Sequence, residues 1–332
     1  MFLLYAIAIY FCICAVLIVW PAPQKSDGEN YDYSTLSESG KNIISGEEHW
    51  VTLRDGTQLF SRVYNSDSSC DSTLVLLHGS GTDSRYLSQI AAYLSDTGLC
   101  RVVTPDLRGH GRNKGRRGDI DYIGQLDHDV EDLFTDISNK FGGTKILLGG
   151  HSSGGGMALR YVGNKQVRQP DGLLLFAPYL GHDAPTVKPN SGGWVTVVLK
   201  RWIGLSMLNR FGIRLFNDLK VLIFNRPEEW NDELQVPSYS YRMAVNYGPS
   251  HYVDDIKKIA VPTLVLVGSS DESFHPEKFA SVFGVEKPAP LIDVKIVKGA
   301  NHMSIVDDSD SRRFILDWYQ STTDSRIEVS AD

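Results

Sequence analysis

The chain has no surplus of positive charge, no internal repeat, no low-complexity tract and no zinc-ligand spacing among its histidines and cysteines. Its 33 Lys and Arg are outnumbered by 40 Asp and Glu, for a net charge of -7. That balance argues against a nucleic-acid partner, because phosphate binding needs a basic surface. No G-x-G-x-x-G follows an apolar run, so the dinucleotide fingerprint is missing as well. What remains is an ordinary globular composition, 42% apolar and 22% charged, long enough for one large domain or two modest ones.

Charge is also missing from the first twenty residues, "MFLLYAIAIYFCICAVLIVW". As a helix they would extend roughly 30 Å, about one hydrocarbon core. A cleaved signal usually opens with basic residues and ends in a small-x-small site. Here the start has neither Lys nor Arg, and "WPAPQ" follows. Residues 1–20 are therefore expected to be an uncleaved transmembrane anchor, with a cleaved signal as the alternative. Lys25 is the one nearby basic side chain, too little to set an orientation. Residues 21–46, acidic and containing Ser and Gly, read as a linker.

Beyond the linker, "HWVTLRDGTQLFSRVY" alternates apolar and polar residues about Asp55-Gly56, a hairpin signature. Short apolar runs then alternate with helical patterns: "TLVLLHG", "CRVVTPD", "KILLGGH", "GLLLFAP", "PTLVLVG" and "DVKIVKG". Such runs suit parallel strands buried on both faces. Leu87, Ile90, Ala91 and Leu94 share one helical face, ended by Gly98. A second stripe runs through Leu126, Val130, Leu133, Phe134, Ile137 and Phe141, ended by Gly142-Gly143. The fold class is α/β, a mainly parallel sheet with helices on both faces.

The rhythm stops between residues 181 and 250. This stretch, rich in aromatics (Trp194, Trp202, Phe211, Phe216, Phe224, Trp230), reads as a helical cap inserted after the sixth strand. The core is then 47–180 and 251–320, and 321–332 is a polar tail. Cys12 and Cys14 lie in the apolar segment. Cys70 and Cys100 each precede a predicted strand. If those strands are parallel neighbours the two could form a disulfide, which needs an oxidising compartment; two free buried thiols are the alternative.

The densest glycine cluster is "LLGGHSSGGGMALRY", in which Gly150 to Gly154 fits the G-x-S-x-G elbow. A strand turning at once into a helix would push the Ser152 hydroxyl outward. The Ser153 N–H and the helix's positive end would then face developing negative charge. A serine hydroxyl needs a base, and His302 in "KGANHMSI", after the last predicted strand, suits the task. His151, His78 and His110 read as structural. The base needs an orienting carboxylate. Asp271 in "PTLVLVGSSDESF" is placed for it, with Glu272 the nearest competitor. The order Ser152, Asp271, His302 is that expected of such a fold.

Together with "LLHGSGTDSRYLSQIAAYL", "PDLRGHGRNKGRRGDI", "LLLFAPYL" and "VKGANHMSIVDD", these stretches make the chain resemble an α/β-hydrolase. Within that superfamily it resembles the group of the monoacylglycerol lipases and lysophospholipases, also described as serine aminopeptidase-like. The resemblance covers about residues 48 to 320 apart from the cap. It implies acyl transfer to water by Ser152, His302 and Asp271, with the Ser80 and Ser153 N–H groups as oxyanion hole and no metal or organic cofactor. The expected substrate is a small-molecule or lipid ester, and the expected location a membrane surface reached through the N-terminal segment. Export of the catalytic part, or secretion after cleavage, both stay open.

Arg108, Arg112, Lys114, Arg116 and Arg117 could meet a phosphate head group, or pair with local acids such as Asp119 and Asp121. A peptidase of the proline iminopeptidase type would need an acid in the cap, for which Glu228, Glu229 and Glu233 are available. A non-catalytic binding protein on the same fold is the reading from another class; such proteins typically lose a triad member.

Overall fold

The computed structural model describes residues 1–25, 43–65, 70–142, 145–228, 232–249, 251–284 and 291–329, the side chains as far as 321. Gly143, Glu229, Trp230 and most of the linker lie outside the described residues.

An eight-stranded sheet forms the centre. Strands β1 (Glu47–Thr52) and β2 (Gln58–Tyr64) make the expected hairpin. They are followed by β3 (Ser72–Leu77), β4 (Arg101–Pro105), β5 (Lys145–His151), β6 (Gly172–Phe176), β10 (Thr263–Gly268) and β11 (Ile292–Val297). Their order across the sheet is β1-β2-β4-β3-β5-β6-β10-β11. The six from β4 to β11 run parallel, and β2 runs against them, antiparallel to both β4 and β1. Every residue of β3, β6 and β10 is buried, as unbroken apolar runs require when helices cover both faces.

Helices α2 (Ser88–Asp96) and α3 (Gln125–Phe141) present the two predicted stripes to the core, Ile90, Leu126, Phe134 and Ile137 among their buried residues. The elbow helix α4 (Ser153–Gly163) follows β5. After the insertion come α7 (Tyr252–Lys257), α8 (Pro276–Gly284) and α9 (Ser309–Val329), the last running through most of the expected tail.

The insertion after β6 is not wholly helical, which corrects the cap as read from sequence. It carries α5 (Leu199–Asn209) and the single turn α6 (Tyr241–Ala244). It also carries a three-stranded antiparallel sheet of β7 (Val195–Val197), β8 (Lys220–Phe224) and β9 (Ser238–Ser240). The disulfide also needs correcting. β3 and β4 are parallel neighbours, yet Cys70 and Cys100 are both free. The Cys70 thiol donates to the Gly98 carbonyl at 3.3 Å instead. Burial pushes the Cys100 thiol up to about 12.

At the N-terminus, α1 (Phe2–Val19) is apolar throughout, and only Cys14 and Ile18 are buried. A core helix of that composition would be covered on all sides.

Candidate active site

Because β3, β5, β10 and β11 are parallel, the loops leaving their carboxyl ends share one edge of the sheet, the usual place for ligands in open α/β sheets. Ser152 follows β5 with φ 54° and ψ -121°, a strained conformation for any residue with a Cβ. Its N–H donates to Phe176 O at 2.9 Å, and its carbonyl accepts from Tyr179 N and Gly156 N at 2.9 and 3.0 Å. A Cβ on Gly150 would lie 2.3 Å from Gly154 O, and one on Gly154 would lie 2.5 Å from His78 O. The turn is that tight, and this is why the pattern needs glycine at both positions.

His302, in the loop after β11, brings Nε2 to 3.0 Å from Ser152 Oγ. Its Nδ1 lies 2.8 Å from Asp271 Oδ2. Asp271 Oδ1 accepts from the Ser273 and Phe274 N–H groups at 2.8 and 2.9 Å. Burial alone would raise the Asp271 carboxyl; the facing His302 and the two amide donors outweigh it and hold the carboxyl below its ordinary range. Glu272, the competitor, accepts instead from the His302 backbone N–H at 2.9 Å. The two neighbouring acids thus divide between ring and backbone.

Ser80 lies between two committed amides. The Gly79 N–H donates to Tyr86 Oη and the Gly81 N–H to Tyr239 Oη, both at 2.8 Å. Ser153 opens α4, so its N–H is among those the helix leaves without an intrahelical partner. Ser80, Ser152 and His302 share a cleft with Gly79, Thr82, Tyr86, His151, Trp194 and Met303. The cleft encloses about 280 Å³, the solvent at its mouth included.

His151 lines the cleft beside Ser152, with both ring nitrogens committed elsewhere. Its Nε2 lies 2.9 Å from the His302 carbonyl, which can only accept, so Nε2 carries the proton. Its Nδ1 then accepts from Tyr86 Oη at 2.9 Å. Burial, followed by the nearby His302 charge, pushes His151 down to about 3. His78 and His110 are also buried, with His78 Nε2 accepting from Leu107 N at 3.0 Å.

The insertion holds the site from above. Trp194 Nε1 donates to Ser80 Oγ at 3.2 Å, Arg226 reaches Gly81 O at 3.1 Å, and Lys188 Nζ reaches Asp271 O at 2.6 Å. Trp194 was one aromatic among several in the sequence, and only the fold singles it out as cleft-lining.

The basic cluster is largely occupied. Arg108 pairs with Asp129 at 2.8 Å and Asp55 at 2.9 Å, Arg116 with Asp119 at 3.0 Å and with Asp121, and Arg112 with Glu48. Arg117 donates to Gly111 O at 2.7 Å and to Leu234 O. Glu228 and Glu233 are exposed, away from the cleft. Among the described residues no acidic side chain lines it.

Compared with known proteins, residues 68–309 match the family described as Serine aminopeptidase, S33, well over half of the chain. The non-heme haloperoxidase of Rhodococcus erythropolis is 25% identical over 240 residues, 67% of this chain and 82% of that protein. The monoglyceride lipase of Saccharomyces cerevisiae is 23% identical over 270 residues, 74% of this chain and 81% of that protein. The crystal structure of a membrane phospholipase A aligns with a TM-score of 0.57 at 18% identity, over 97% of this chain and 96% of that one. At that identity the likeness speaks for the fold alone. With the sheet order, the elbow and the extent of the family match in agreement, the chain belongs to the serine aminopeptidase S33 family of α/β hydrolases.

Proposed function

We propose that the protein is a membrane-associated serine hydrolase that cleaves carboxylic esters with apolar acyl groups, of the monoacylglycerol or lysophospholipid kind. One observation carries the reading: Ser152 Oγ, the His302 ring and the Asp271 carboxylate stand in one hydrogen-bonded row whose Ser152 and His302 line a cleft. His302 Nε2 takes the Ser152 proton as Oγ attacks the ester carbonyl. The Ser80 and Ser153 N–H groups hold the oxyanion, and Asp271 stabilises the imidazolium. His302 then protonates the departing alcohol. Water, deprotonated by the same ring, releases the acid.

The exposed apolar α1 supports a membrane location. The absence of an acid from the cleft among the described residues favours an ester over a peptide with a free amino terminus, which would need a carboxylate partner. The test is a substrate panel on the detergent-solubilised full chain: p-nitrophenyl esters, monoacylglycerols, lysophospholipids and prolyl amides. Ester turnover exceeding prolyl-amide turnover by at least about a hundredfold, roughly 2.7 kcal/mol of barrier, is expected. Faster cleavage of prolyl amides would overturn the ester reading.

A further inference from the structure

The N-terminal helix is not free of the rest of the molecule. Cys14 and Ile18 pack with Leu205, Leu208, Val221 and Tyr241 in an apolar cluster separate from the main core. Gly204 of α5 permits the contact: a Cβ there would lie 2.9 Å from Ile18 Cγ1 and 3.0 Å from the Cys14 carbonyl. Polar bonds fix the register, with Tyr10 Oη donating to Met207 O and Arg201 Nε to Ile18 O, both at 3.1 Å. Lys200 Nζ stands 3.3 Å from the Trp20 ring, and the Phe211 ring lies 5.2 Å from that of Tyr10. The two helices therefore run antiparallel, the end of α5 and the loop after it beside the middle of α1.

That register conflicts with a perpendicular crossing. If α1 spanned the bilayer, Arg210 and Arg214, just after α5 and exposed, would be carried toward its centre. Each would cost at least about 2.5–3.5 kcal/mol there. If Arg210 stays at the headgroups, the part of α1 that enters freely is Phe2–Ile9, about 12 Å of helix against a core of roughly 30 Å. Meanwhile α5 and its loop expose Leu199, Phe211, Leu215 and Phe216 at 59%, 61%, 78% and 43%. Between residues 199 and 217 the chain has four basic side chains and no acidic one, within a protein of net charge -7. An apolar face rimmed by basic residues is the make-up of a helix lying in an anionic interface.

We propose that α1, α5 and the loop 210–216 form one monotopic platform that enters a single anionic phospholipid leaflet and leaves the N-terminus on the same side as Ser152. The inference rests on reading α1 as membrane-associating and replaces the spanning anchor expected from its length. Trp194, which lines the cleft, precedes β7 and α5 directly, so the platform sets the cleft beside the leaflet that would supply an apolar ester.

The test uses full-length protein with an epitope tag at each end, bound to sealed vesicles of phosphatidylcholine and phosphatidylglycerol and treated with external protease. Loss of the N-terminal tag together with the C-terminal one is expected; an N-terminal tag protected until detergent is added overturns the proposal. In parallel, Leu199→Ser, Phe211→Ser, Leu215→Ser and Phe216→Ser are combined, with the thermal midpoint as the check on folding. Vesicle affinity is expected to fall at least about tenfold, and affinity unchanged from the parent overturns the platform. Neither readout involves turnover, so a failure of the hydrolase reading leaves both intact and is recognised separately.

Discussion

Asp271→Asn isolates the orientation of the base from everything else in the site. Asp271 Oδ1 accepts two backbone N–H groups, from Ser273 and Phe274, and Oδ2 faces His302 Nδ1. An asparagine placed there must turn its carbonyl oxygen to the two amide donors, since its NH2 cannot accept them. The NH2 then faces His302 Nδ1, which must become an acceptor. The imidazole proton moves to Nε2, the atom 3.0 Å from Ser152 Oγ, where it blocks proton abstraction. A wrong-tautomer variant of this kind loses about ten-thousandfold in kcat, or roughly 5.5 kcal/mol of barrier. Hydrolysis of p-nitrophenyl butyrate at neutral pH measures it, with a thermal melt to show that the fold survives. Glu272→Gln is the contrast: it keeps an acceptor for the His302 N–H, and a loss of no more than about tenfold is expected. If Asp271→Asn retained over a tenth of parental kcat, or if the Glu272 change were the more damaging, the assignment of the carboxylate would be wrong.

Gly154→Ala puts a methyl group 2.5 Å from His78 O and 2.6 Å from Leu77 O, backbone atoms that cannot step aside. A cost of about 1–3 kcal/mol should appear in urea melts, whereas Gly284→Ala, with nothing within 4 Å among the described residues, should be tolerated. His78, His110 and His151 are all lowered by burial, His151 to about 3. Below the ordinary imidazole value of about 6.5 the unfolded chain binds protons that the folded chain refuses, so stability falls with falling pH. His151→Gln should reduce the slope of unfolding free energy between pH 5 and 4 by about 1.4 kcal/mol per unit; urea melts with an unchanged slope would contradict the neutral, buried ring. Trp194→Ala removes the aromatic roof of a small cleft. It should shift preference among p-nitrophenyl esters toward longer acyl chains by about tenfold, and an unaltered chain-length profile would show that the ring does not limit the pocket.

The core was legible because its strands are unbroken apolar runs, each ended by residues with chemistry to offer. Ser152, Asp271 and His302 could be picked out for following three of those runs, and a parallel sheet brings such ends together. The insertion was not legible. Its strands β7 and β9 have three residues each, too short to show a period. The union of α1 with α5 joins residues some two hundred positions apart and depends on a single glycine, Gly204, that leaves no pattern. The Tyr86–His151 link was hidden likewise: a histidine inside the elbow motif looks spare until its two nitrogens are seen to be committed. The arginine-rich loop left a head group and local acids both open; the fold pairs it with Asp119 and Asp121 as the second reading had it, and with Asp55, Asp129 and Glu48, which no local spacing pointed to.

The most direct measurement is covalent labelling of the full chain with a fluorophosphonate, followed by peptide mass mapping. A base-activated hydroxyl at the tip of the elbow predicts one adduct per chain, on Ser152, lost on heat denaturation and in Ser152→Ala. A native protein that takes up no label, or carries it on another residue, would contradict the account.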